Sequence, residues 1–226
     1  MWVFTLLHLR KKAEITMKPE KKSETYEAAL IKAWESLLAL DPRDVAKNGG
    51  VSYSLKEDAF VLPFLGEEYL VQRSKKVVLG PNGQEIYPFM AVLLVHYLAY
   101  AKDIKPQKRL ISFRELSGGD VYFSAFSRRA ILPITNTFGS DENMIRRVGE
   151  IIGASECNYG DVSFTIDVFP KIPVTIILWI GDEEVACSSN MLFDASIKEL
   201  LPTEDVAVIG GFVASKLKKI ASSIKD

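Results

Sequence analysis

Residues 88–101, PFMAVLLVHYLAYA, constrain this chain more than any other segment. A helix written through them is apolar on every side, so it has no face to give to water. Fourteen residues fall short of the roughly 20 that a membrane span requires. The segment therefore predicts a helix in the middle of a globular core, with the other elements built around it.

The flanking patterns supply those elements. Tyr26, Ala29, Leu30, Ala33, Trp34, Leu37 and Leu38 recur at helical spacing after Ser23, the expected N-cap. Asp41-Pro42 opens a second short helix, and Asn48-Gly49-Gly50 closes it. Across residues 51–79 the period drops to two, in short runs that predict three or four antiparallel strands ending at the turn Gly80-Pro81-Asn82-Gly83. Residues 110–113 read as a brief strand, Ser112 and Glu115 as a capping box, and Gly118-Gly119 as a stop. A helix is expected after Asp120, as its N-cap, ended or kinked near Pro133; another carries Met144, Ile145, Val148, Ile151 and Ile152 to Gly153.

The clearest strand signal is VSFTIDVF and VTIILWI, joined by residues 170–173, with Gly181-Asp182 turning into a third strand, EEVAC. Val162, Phe164, Ile166 and Val168 share one face, and Ser163, Thr165, Asp167 and Phe169 the other. A short helix near residues 196–201 and a closing helix from Thr203 complete the chain. The fold class expected is α+β: antiparallel β meanders packed with helices around one central apolar helix.

Residues 17–226 read as a single α+β domain, and residues 1–16 as a leader, with Met17 the alternative start. MWVFTLLHL is followed by Arg10, Lys11 and Lys12, which places the charge on the wrong side for a signal peptide. No membrane association is expected.

Charge and ligand supply narrow the function. A formal net charge of -1, with no Lys/Arg run longer than three, lacks the basic excess that phosphate neutralisation requires, so nucleic acid is not an expected partner. Cys157 and Cys187 are the only cysteines and have no paired-ligand spacing, which points to a reducing, cytoplasmic compartment. The phosphate-loop, dinucleotide, zinc-protease and serine-hydrolase motifs are all missing. With His8 and His96 as the only histidines, no multi-histidine metal site is expected.

His96 lies within the apolar helix. It is either a core histidine satisfied by a buried carbonyl or carboxylate, or a single axial ligand to a haem-like or corrinoid cofactor, which needs one imidazole in an apolar cavity. Each cysteine reads first as a small buried hydrophobe, and Cys157, in a loop, is the better thiol candidate.

The stretch Phe113, Arg114, Gly118, Gly119 could present backbone amides to an anion at a helix start, with Arg128 and Arg129 about two turns on; a capping Asp120 would compete for those donors. Asp161, Asp167, Asp182 and Asp194 are candidates for acid–base work or cation binding if the fold converges them. Asp182 also suits a hairpin turn, and Glu204 and Asp205 suit the first turn of a helix. Asp167 also suits the wet face of a sheet. Trp179 adds an aromatic to the same region.

The run GDVSFTIDVFPKIPVTIILWIGDEEV followed by NMLFDASIKELLPTED resembles the C-terminal half of domain-of-unknown-function family 3786. Residues 113–119 and 122–128 are similar to its middle, and the similarity covers most of residues 23–220. The resemblance implies an anaerobic bacterial or archaeal setting. Some members carry an added iron–sulfur domain like that of corrinoid proteins in one-carbon metabolism, a cysteine-rich segment this chain lacks.

The function expected is a cytoplasmic accessory protein of anaerobic metabolism that binds a small ligand or cofactor, with a one-carbon or corrinoid link. Its cleft would lie between the second meander and residues 113–129. Two alternatives stand beside it: a carboxylate/arginine-based enzyme acting on an anionic small molecule, and a structural subunit with a protein partner.

Overall fold

A computed structural model describes residues 19–225 of the chain, and the leader reading lies outside the described residues. Helix α1 (Pro19–Leu38) and α2 (Pro42–Gly49) precede a four-stranded antiparallel sheet: β1 (Ser52–Ser54), β2 (Ala59–Phe64), β3 (Glu67–Gln72) and β4 (Val77–Leu79). Ser23 lies inside α1 rather than capping it, because helix already covers Pro19, a residue whose fixed φ is tolerated in a first turn. At α2 the Asp41 carboxylate accepts from the Arg43 and Asp44 amides, and Gly50 closes the helix at φ 65°.

Helix α3 (Pro88–Ala99) is the expected central helix. Residues 91–95, Tyr97 and Leu98 are buried, and the Tyr97 hydroxyl donates to the Gly49 carbonyl at 2.7 Å. The second sheet runs β5-β9-β8-β7-β6, all antiparallel. It comprises β5 (Leu110–Ser112), β6 (Ser155–Glu156), β7 (Val162–Phe169), β8 (Ile172–Trp179) and β9 (Ser188–Asp194). The third meander strand is thus residues 188–194, not EEVAC. Asp182 explains the shift: its carboxylate takes the Glu184 and Val185 amides at 2.9 and 2.7 Å, closing a turn with donors a strand would need.

Between the sheets' strands lie a 3-10 turn (Phe113–Glu115), α4 (Gly119–Phe126), a π turn (Ser127–Ile131), α5 (Leu132–Phe138) and α6 (Glu142–Ile151). Helix α7 (Ile197–Leu200) leads into α8 (Thr203–Lys225). Asp120 falls one residue inside α4, with Gly118 at φ 71° as the cap position. This confirms an α+β fold of two antiparallel meanders packed with helices.

One cluster of buried side chains runs through both sheets and the helices. The sheets meet where the Leu65 amide donates to the Val168 carbonyl at 3.0 Å. There Phe169 packs on Phe64, with ring centroids 4.8 Å apart, and stacks on Tyr97 of α3 at 4.2 Å. A register shift between Asp167 and Phe169 lets Phe169 reach this joint. Among the described residues no helix is long and apolar enough to cross a membrane.

Candidate functional site

Four helices that are distant in sequence enclose a cavity of about 450 Å³. Helix α3 contributes Phe89, Val92, Leu93 and His96, a single face at helical spacing. From α4 and the π turn come Tyr122, Ala125, Phe126 and Arg129; from α1, Thr25, Tyr26 and Ala29; from the start of α8, Thr203, Glu204, Asp205, Ala207 and Val208. Phe113 backs the wall, its ring stacked on Phe126 at 4.1 Å, and Tyr26 meets Phe89 edge-on at 5.4 Å. Helices α4 and α8 approach closely because Gly210 has no side chain: a Cβ there would run into the Phe126 ring.

One polar feature of this largely apolar space is a hydrogen-bonded pair. His96 Nδ1 and Asp205 Oδ2 lie 2.8 Å apart, joining α3 to the first turn of α8. Asp205 is only 6% exposed, so the imidazole is its main solvation. A carboxylate oxygen accepts, which places a proton on Nδ1; in the neutral imidazole the lone pair is then on Nε2. Nε2 has no hydrogen bond among the described residues. The Tyr100 ring, its centroid 5.0 Å from that of His96, limits the imidazole's rotation.

Arg129 reaches the cavity through an irregular helix. Proline at 133 cannot donate to a carbonyl one turn back, and its ring crowds that carbonyl. The backbone answers with a wider turn, in which the Leu132 amide donates to the Ser127 carbonyl, an i→i+5 bond. Arg129 falls in line with Tyr122, Ala125 and Phe126 at ordinary helical spacing, while Arg128 does not line the cavity. Arg129 is exposed and forms no ion pair among the described residues.

Of the residues the sequence nominated, His96, Phe113 and Arg129 line this cavity, with Glu204 and Asp205 of the helix start. Arg114 pairs with Asp120 at 2.6 Å and lies 3.8 Å over the Phe123 ring. Gly118 supplies the left-handed turn, and Gly119 is required because the Phe113 carbonyl occupies the place of a side chain. Asp161 accepts from the Ile180 amide at 2.7 Å beside the second sheet, and exposed Asp167 faces solvent on β7. Trp179 ends β8, 40% exposed. Asp182 holds its turn, and the Val185 and Glu184 amides keep its carboxyl below the usual range.

Asp194 is buried and saturated, accepting from the Gln107, Lys108 and Ser196 amides and the Ser196 hydroxyl. Burial alone would raise its pKa; the bonds from Ser196, Gln107 and Lys108 outweigh it and hold the carboxyl low. These acidic groups do not converge in the cavity. The cavity borders residues 113–129, and its remaining walls are helices; no strand of the second meander lines it.

Sequence reasoning raised His96 and Arg129 and placed Asp205 in a helix start, without linking the three. The legible signal was the α3 face Phe89, Val92, Leu93, His96. A larger, more open hollow of about 640 Å³ lies between α2, the end of α3 and α7. It holds no imidazole, and Asp41 there is engaged in capping α2. Among the described residues no three His, Cys, Asp or Glu side chains group as a metal site, and both cysteines are free.

No curated protein and no solved structure matches the chain. A family described as a domain of unknown function (DUF3786) matches residues 41–216, more than half the chain and most of the cavity's walls. On that match the chain belongs to the DUF3786 family.

Proposed function

We propose that this protein binds a compact organic molecule in the four-helix cavity, with a flat apolar body against the aromatic rings and an anionic group toward Arg129. The observation that carries the reading is the His96–Asp205 pair set in a largely aromatic and aliphatic space whose other polar lining is Thr25, Arg129, Thr203 and Glu204. Ligand sites combine such a lining with a few placed polar groups and run to roughly 300–1,000 Å³. At about 450 Å³ the cavity favours a metabolite or small cofactor. A corrinoid with its nucleotide tail exceeds that volume, so the one-carbon link implied by the family resemblance rests on the lone imidazole of His96.

The test is native mass spectrometry on anaerobically purified protein, followed by thermal shifts with aromatic carboxylates, nucleotides, tetrapyrroles and cobinamide. A ligand at 100 times its Kd stabilises the folded state by about 2.7 kcal/mol, which melting temperature reads easily. Arg129→Ala and His96→Gln should each weaken the shift produced by a binding aromatic carboxylate. A ligand-free protein whose melting temperature no compound moves refutes the reading.

A further inference from the structure

We infer that the His96–Asp205 pair is a general base, so that the cavity performs proton transfer on what it binds. The inference deepens the binding proposal and rests on the same cavity.

Three observations carry it. The imidazole is oriented from behind by a buried carboxylate at 2.8 Å, so Nε2 of the neutral ring keeps its lone pair and the imidazolium formed on proton capture would be stabilised where it arises. The ring lines a cavity instead of being sealed in the core. The neighbouring wall includes a π turn, a helix distortion frequent at functional sites, and Arg129 within it lines the same space with no ion pair among the described residues.

In the step proposed, the Nε2 lone pair takes a proton from an acidic C–H or O–H of the bound molecule. The electron pair of that bond stays on the substrate, and Nδ1–H remains on Asp205. The imidazolium then returns the proton to product or water. The substrate class is a small conjugated acid whose conjugate base is delocalised, carrying an anionic group within reach of Arg129. His96 is the catalytic residue and Asp205 a positioning residue.

The probe is 5-nitrobenzisoxazole, a flat bicyclic carbon acid small enough for the cavity. Loss of its ring C–H proton to a base forms the nitrile, breaks the N–O bond and releases a coloured phenolate, with no co-reactant. The full-length protein should turn it over with saturation, and His96→Gln should lower kcat by about 100-fold, the smaller end of what a placed base supplies. Asp205→Asn should lower kcat far more than it changes KM.

Nitrogen-15 NMR of the ring supplies a readout that a merely structural role would not move. Wild type should show the proton on Nδ1, and Asp205→Asn should move the population toward protonated Nε2. Asp205→Glu should restore both the tautomer and part of the rate.

Equal turnover by wild type and His96→Gln, or a wild-type ring protonated on Nε2 and bare on Nδ1, overturns the inference. If no compound in the thermal panel binds but turnover still depends on His96, the proposed occupant falls and the base stands. Binding with His96-independent turnover does the reverse.

Discussion

Asp194 shows how much one buried carboxylate can organise. Its two oxygens hold the amides of Gln107, Lys108 and Ser196 and the Ser196 hydroxyl, tying the approach to β5 onto the end of β9. Asp194→Ala strands those donors and should cost about 3 kcal/mol in urea unfolding, since hydrogen bonds to charged groups are worth roughly 1.5–3 kcal/mol. The sign of its pH dependence follows from its depressed pKa. The stabilisation is complete above the unfolded carboxyl value of about 4 and is lost as pH falls through the lower folded value. The gap between wild type and Asp194→Ala should therefore narrow in acid, and widening there would contradict the assignment.

At the scale of elements, the run from α4 through the π turn to α5 sets the cavity's charged edge. Pro133→Ala restores a backbone donor and removes the ring that forces the wide turn. The helix should rewind toward regular α geometry, gaining up to a few kcal/mol of stability while shifting Arg129, which lies within the turn, from its present place on the cavity wall. Melting temperature should rise and affinity for an aromatic carboxylate should fall several-fold; unchanged affinity would separate Arg129 from binding.

Elements also show what the sequence discloses. Strand β7 was legible because apolar residues recur at every second position, β8 because it is a short continuous run rich in β-branched residues, and α3 because a helix without a polar side has only one place to be. Strand β9 was displaced because Val185, Ala186 and Cys187 look like strand residues, while the capture of two amides by Asp182 is a local competition that hydropathy does not record. The His96–Asp205 pair spans 109 positions, and no local spacing rule connects residues so far apart. Only the docking of α8 on α3 brings them together.

Across the whole molecule, the joint between the sheets is aromatic. Phe169 touches Phe64 of the first sheet and Tyr97 of the central helix while belonging to the second sheet. Phe169→Ala should cost about 3–5 kcal/mol, the usual range for emptying a buried aromatic site. Because the ring serves both sheets, hydrogen exchange should speed up in β2 and β7 together. Acceleration confined to β7 would indicate sheets that unfold separately, against the single-domain reading.

The order in which the cavity's walls occur along the chain bears on its birth at the ribosome. Chains fold as they are synthesised, N-terminal parts first. The wall carrying Asp205 opens the last helix, a 23-residue element at the C-terminal end of the described chain. A nascent protein can therefore assemble both sheets and the central helix while His96 still lacks its carboxylate. The site comes into being only once α8 has been made, so a chain that stops before α8 would hold most of this core and none of this chemistry.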